Sequence, residues 1–314
     1  MGPRIAIAGS GALSRYLAEE LTANGFAVTI LGRTPKSYFD NMSGVNFRKV
    51  DFNSVESIKE ALGNDTEVLI SAILDYTMGL NDAQLNMIKA ASESPKTRRF
   101  IPSEFGGNVE DYPDQTPFYY KNREPSRKVL REQSLLEWTI VSTSWFIDWI
   151  VPEGNHYFPD AGDAFPVNLK GGSFFIPGAG TEKLDMIAAR DAAKGVVELI
   201  KAPYGSWEHY VYLSGEKSDW NTVTKQVQRA YPDINFKRST ISLTQMIENI
   251  IKGTNEGNEE AVIEAQYQVF GVSNAGNFDV EKTAAQKETF FKDVHFRSVQ
   301  EFLDQYKQDP TIIV

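Results

Sequence analysis

The sequence predicts an α/β protein: a doubly wound parallel sheet joined to a smaller domain that is discontinuous along the chain. Three observations carry this expectation. Short apolar strands alternate with helical patterns through the first half. A glycine-rich turn, Gly9-Ser10-Gly11, joins the first strand to the first helix. Past residue 150 the chain becomes aromatic and rich in turn residues, with little periodicity.

The elements follow in order. Ile5–Gly9 reads as a strand and Leu13–Asn24 as a helix, with Leu13, Leu17 and Leu21 on one face and Gly25 ending it. Ala27–Leu31 and Val45–Val50 read as the second and third strands. Ser54 caps a helix that runs to about Leu62. Val68–Ile73 is the fourth strand, and Asp82–Ala91 is helical with Leu85 and Ile88 inward. Arg99–Pro102 is the fifth strand, Ser126–Leu136 belongs to a helix, and Thr139–Ser142 is the sixth strand. In the second half, Ala188–Ile200 is helical and "HYVYLSG" (209–215) alternates like one more strand. Residues 220–231, 242–252, 258–270 and 296–306 carry helical patterns. We expect residues 1–150 and 186–214 to form the sheet domain, and 151–185 with 215–314 the smaller one.

Composition narrows the function. The net charge of −10 repels phosphate backbones and anionic lipid, so neither nucleic acid nor a membrane is an expected partner. There is no cysteine, which excludes disulfides, thiol nucleophiles and thiolate zinc sites. Three separated histidines, His156, His209 and His295, make no metal-site pattern, and no metal is expected. No apolar run approaches a membrane span and the start lacks a secretory pattern, so we expect a cytosolic protein. A homodimer is the assembly to expect if one forms.

In a dinucleotide turn the first glycine permits the bend, the second lets a pyrophosphate approach the backbone, and the third packs helix on strand. Gly9 and Gly11 supply the first two, and Ser14 stands where the third would be. Phosphate binding rests on backbone N–H groups of Gly9, Ser10, Gly11, Ala12 and Leu13 and on the helix dipole, neither of which needs a third glycine. The second strand ends in "ILGRTPK". An acidic residue here suits a free ribose 2′-OH, whereas arginine suits a 2′-phosphate. Arg33, with Lys36 nearby, therefore predicts NADP(H) over NAD(H). Asp51, ending the third strand, stands either beside the adenine or as a loop acid.

"RRFIPSEFGGN" (98–108), the N-terminal turn and "GRTP" together resemble the NmrA-like and isoflavone-reductase-like group of atypical short-chain dehydrogenases. "EWTIVSTSWFIDWIVP" (137–152), "DMIAARDAAKGVVELI" (185–200) and "FKDVHFRSVQEFLDQY" (291–306) extend the likeness over nearly the whole chain, nearest to fungal members associated with secondary metabolism. The resemblance implies a Rossmann-type domain with NADP(H) across the strand ends and a small domain closing a cleft. It implies that Pro102, Ser103 and Phe105 lie near the nicotinamide, that Ser71, Ala72 and Ile73 line the cofactor, and that Trp145, Phe146 and Trp149 face the substrate. For the aromatics, ordinary core is the alternative.

The expected general acid is the weak point. No Tyr-x-x-x-Lys pair is present: Tyr119 is followed by Arg123 at that spacing, and Tyr120 by Glu124. Isoflavone-reductase-like members use a lysine early in the helix after Ser-Glu-Phe-Gly. Counting back from "LREQ", that position falls on Arg123, and Lys121 fits only with a two-residue shift. Pro125 suits a first helical turn, so this helix is expected to start late. Tyr119, Tyr120 and Lys121 are the candidate proton donors. His156 is either another donor or a solvent-facing turn residue. Three functions follow in order: an NADPH-dependent reductase of a bulky aromatic or polycyclic molecule, a non-redox cyclase or isomerase on the same scaffold, and a redox-sensing regulator. Hydride transfer to an iminium or conjugated system needs weaker proton assistance, which suits a degraded acid site.

Overall fold

The computed structural model describes residues 3–117 and 120–314, Tyr120 in its backbone only. The first half builds strands β1 (Arg4–Ala8), β2 (Ala27–Gly32), β3 (Val45–Lys49), β4 (Thr66–Ser71), β5 (Arg99–Ile101) and β6 (Glu137–Trp138). They form one sheet in the order β3-β2-β1-β4-β5-β6, with every neighbouring pair parallel. Between them run helices α1 (Ala12–Ala23), α2 (Val55–Leu62), α3 (Met78–Glu93) and α4 (Tyr120–Glu132). The order reverses between β1 and β4. That is the switch point where open α/β sheets bind ligands, at the carboxyl ends of the strands.

Alternation along the strands explains the two covered faces. Ile5, Ile7, Val28 and Ile30 bury on one side with Leu17 and Leu21 of α1. Ala6, Ala8, Leu31 and Leu69 bury on the other with Ile58 of α2 and Met87 and Ile88 of α3. A parallel sheet needs both covers, because an uncovered apolar face would stay in water.

The chain continues through β7 (Ile140–Ser142), β8 (Trp145–Phe146), β9 (Val167–Asn168), β10 (Ser173–Pro177) and β11 (Leu184–Ile187). Then come α5 (Ala189–Lys201), β12 (Tyr210–Tyr212), β13 (Glu216–Ser218), α6 (Trp220–Ala230) and β14 (Lys237–Ile241). Helices α7 (Leu243–Glu256), α8 (Glu259–Phe270), α9 (Val280–Phe290) and α10 (Val299–Gln308) finish it. Two further three-stranded sheets, β14-β10-β9 and β13-β11-β8, surround a second core centred on Trp145, Phe165, Phe174 and Trp220.

Two sequence expectations need correction. The sixth strand is split: β6 bonds to β5, whereas β7 pairs with β12, so the chain changes hydrogen-bonding partner at Thr139. Helix α4 starts at Tyr120, not after Pro125, which lies inside it. Proline removes one ladder donor. The next amide, Ser126, donates to Asn81 Oδ1 of α3 at 3.0 Å, so a neighbouring side chain supplies an acceptor at the interruption.

Candidate functional site

The turn after β1 is built on backbone contact. Gly9 has φ of +110°, and a Cβ there would lie 2.7 Å from the Ala72 carbonyl oxygen. Only glycine lets the first turn pass that close to the end of β4. The Ala72 amide donates to Ala8 at 2.8 Å and the Gly9 amide to Leu31 at 2.9 Å, which locks the turn between β4 and β2. Gly11 is the N-cap of α1; no side chain caps it, and nothing lies within 4 Å of where its Cβ would be. The first amides of α1, in Ala12 and Leu13, thus open an anion-binding terminus. Ser14 is fully buried in the place expected of a third glycine.

Around that turn, the Tyr38 hydroxyl donates to the Ser10 carbonyl. Arg15 is stacked between the rings of Tyr38, 4.4 Å away, and Tyr157, 3.5 Å away. Arg33 follows β2 directly, and both it and Lys36 are exposed, with no ion pair among the described residues. Ser10 Oγ would lie 3.7 Å from a Cβ on Gly32, which places the start of the Arg33 segment beside the turn. Asp51 is exposed past β3, where its carboxylate accepts the Asn53 amide at 2.9 Å.

The ends of β4 and β5 meet beside this turn. Ser71 is buried, and Ser103 Oγ donates to the Ile73 carbonyl at 2.7 Å. The Ser103 amide donates to Gln84 Oε1 at 2.7 Å, and Pro102 accepts the Glu104 amide at 2.9 Å. Phe105 has φ of +27° and Ser144 of +53°, conformations unusual for side chains with a Cβ. Hydroxyls hold them: Ser142 donates to Gly107, Thr143 to Phe105 and Ser144 to Gly276, each at 2.9 Å. Strain secured in this way is typical of ligand-binding segments.

Below lies a buried ion cluster. Arg127 donates twice to Glu104 at 2.9 Å, and Arg123 Nη1 stands 3.8 Å from the same carboxylate. Burial works to raise the Glu104 carboxyl, but the Arg127 charge and hydrogen bonds, helped by Arg123, hold it below the usual range. Arg123 also donates to the Ser103 carbonyl, next to the strand end. Lys121 is exposed in the first turn of α4. Tyr119 and the side chain of Tyr120 lie outside the described residues. Two tyrosines that the sequence reading passed over stand close to Arg123: Tyr76, in the loop after β4, and Tyr267 of α8. Their hydroxyls are 2.7 Å apart. Asn122 fastens that loop by donating to the Tyr76 carbonyl at 2.6 Å.

Trp145 is buried, 6.0 Å from Tyr267, 5.5 Å from Phe270 and 5.3 Å from Trp220 between ring centroids. Phe146 is half-buried against Phe158 at 5.3 Å. Trp149 stacks on Phe158 at 4.8 Å, and its Nε1 donates to Pro159 at 2.8 Å. The alternative of a solvent-facing His156 is corrected: it is 8% exposed, because the segment folds back on Trp149. Burial depresses its pKa below the ordinary histidine value, and nearby Glu153 opposes this only in part.

This architecture has known counterparts. The NmrA-like family model matches residues 3–303. The oxidoreductase swnR of Arthroderma benhamiae is 39% identical over 312 residues, covering 99% of this chain and 100% of that protein. A leucoanthocyanidin reductase from Vitis vinifera, solved as a binary complex with NADPH, aligns with a TM-score of 0.72 at 19% identity, over 96% of this chain and 99% of that one. AtPrR2, solved with NADP+ and (+)pinoresinol, aligns with a TM-score of 0.73 at 17% identity, over 98% and 99%. A match over nearly every residue, joined to an oxidoreductase relative of full length, leads to one conclusion: the chain belongs to the NmrA-like family.

Proposed function

We propose that this protein is an NADP(H)-dependent reductase of a bulky aromatic or polycyclic small molecule, acting in secondary metabolism. The observation that carries the reading is the open N-terminus of α1, brought against β4 by Gly9 and followed across β2 by the exposed Arg33, which has no ion pair among the described residues. Amides of Gly11, Ala12 and Leu13 would hold the diphosphate, and Arg33 with Lys36 the 2′-phosphate. Asp51 would stand beside the adenine. Ser71, Ala72, Ile73, Pro102, Ser103 and Phe105 would border the nicotinamide. Trp145, Phe146, Trp149 and His156 would wall the substrate, with Lys121, Tyr119 and Tyr120 as further proton-donor candidates. Residues 1–150 and 186–214 would bind the cofactor, with 151–185 and 215–314 completing the substrate side. The names of the relatives support an oxidoreductase.

NADPH, when bound, supplies a hydride. The chain's own contribution is to orient the ring through the fixed β4 and β5 ends, to exclude water with the aromatic segment, and to hold developing negative charge near Arg123. A second reading, cyclisation or isomerisation without redox turnover, is favoured by one observation: the inward position of α4 carries Arg123, which cannot give up a proton, while Lys121 is exposed. Following reduced-nicotinamide absorbance with a panel of polycyclic carbonyl, iminium and conjugated substrates separates the two. The reductase consumes one NADPH per product. Product formed with NADP+, or with no cofactor, and without absorbance change overturns it.

A further inference from the structure

Four segments far apart in sequence bring polar groups to one place at the strand ends. The loop after β4 supplies Tyr76, the end of β5 supplies the Ser103 carbonyl, α4 supplies Arg123, and α8 supplies Tyr267. The two tyrosine rings meet edge to face, 6.2 Å between centroids, with hydroxyls 2.7 Å apart. Both residues are half-buried, with the Tyr267 hydroxyl the more deeply placed of the two. Resting on the reductase reading above, we propose that Tyr76 donates the proton to the oxygen of the reduced substrate, with Tyr267 positioning it and Arg123 stabilising the charge.

Three features carry this. The Tyr76 loop leaves β4 through Ile73, whose carbonyl is bound by Ser103 Oγ, so the hydroxyl pair is tied to the crevice and not to a remote surface. The loop is held at its backbone, where Asn122 binds the Tyr76 carbonyl, which leaves the ring free of that duty. The charge nearby is permanent: a guanidinium stays protonated, so it can stabilise an oxyanion but cannot supply its proton. Burial raises the Tyr267 hydroxyl well above its ordinary pKa and raises Tyr76 also, against the lowering effect of Arg123. Both are therefore neutral donors at physiological pH, suited to a developing alkoxide or enolate.

The step balances. The hydride and its electron pair form the new C–H bond while the carbonyl π pair moves to oxygen. The O–H bond of Tyr76 breaks and its proton joins that oxygen. Tyr76, the less buried of the two, recovers its proton from solvent, and the Tyr267 hydroxyl stays hydrogen-bonded to it throughout. The nicotinamide is the species oxidised.

The test uses p-nitrophenol as an oxyanion probe, titrated into the full chain loaded with NADP+, and reads the phenolate absorbance band below the solution pKa of the phenol. Wild-type protein should bind the probe and enlarge the phenolate band. Tyr76→Phe and Tyr267→Phe should each bind it about tenfold more weakly and lose the enlargement. Their NADPH affinity should stay within about twofold, and their melting temperatures should fall by no more than about 5 °C, so each variant stays folded. An unaltered titration in both variants overturns the proposal, as does no binding by wild type, or a loss confined to Tyr119→Phe or Tyr120→Phe. Failure of the reductase reading appears separately, as product formed without consumption of NADPH, or as absence of NADP+ binding. The probe is then titrated into cofactor-free protein, where Arg123 alone supplies the charge.

Discussion

Gly9 shows how far one residue can set a site. Its φ of +110° and the 2.7 Å gap to the Ala72 carbonyl leave no room for a side chain. Gly9→Ala should destabilise the fold by about 1–3 kcal/mol and weaken NADPH binding at least about tenfold, read by urea unfolding and by calorimetry. This requirement was legible in the sequence, because a tight turn between a strand and a helix demands glycine whatever surrounds it. Arg33 was legible for the same reason, since its place directly after β2 is a matter of local spacing. Tyr76 and Tyr267 were not legible: 191 residues separate them, and neither carries a local pattern. His156 misled because a polar residue in a turn usually faces water, and only the fold-back onto Trp149 buries it.

At the scale of elements, α4 is fastened to the end of β5 by a buried charge pair. Arg127→Ala should leave Glu104 charged with only Arg123, 3.8 Å away, as its counter-ion, costing about 3 kcal/mol in chemical unfolding. Helix α5 is fastened differently. Its first amide, in Ala189, donates at 2.9 Å to Asp148, a fully buried carboxyl whose pKa burial pushes up to about 7, the amide opposing only in part. Raised above its unfolded value, Asp148 holds a proton in the folded state that the unfolded chain has lost between about pH 4 and 7. Its contribution is therefore full below about pH 4 and declines as pH rises towards 7. Asp148→Asn, neutral throughout, should gain on wild type by roughly 3–4 kcal/mol over that interval and run parallel above it, in unfolding followed against pH. The alternating elements of the first half were readable because each strand and helix has its own period. The start of α4 was not, because Pro125 argues for a late start on propensity alone, whereas the tertiary contact from Asn81 to Ser126 sustains the helix through it.

At the scale of the whole molecule, both sheet faces and the switch point follow from the order β3-β2-β1-β4-β5-β6, and the alternation of strands and helices in the sequence foretold that parallel sheet. The second core was less legible. Its aromatic residues come from β8, β10, α6, α8, α10 and the segment around Phe165, and the helical periods of α6, α8 and α10 do not say which of these segments meet. A ligand that bridges α1, β2 and β4 should stabilise the molecule as a unit. NADPH at about a hundred times its dissociation constant should add about 2.7 kcal/mol to the unfolding free energy, seen as a shift in melting temperature.

The central claim, that the α1 terminus and Arg33 together select a 2′-phosphorylated dinucleotide, is tested most directly by calorimetric titration of the protein with NADPH and with NADH. The account predicts saturable heat with NADPH, affinity for NADH at least about tenfold lower, and convergence of the two in Arg33→Ala. Equal affinity for both in the wild-type protein, or no heat with either, would contradict it.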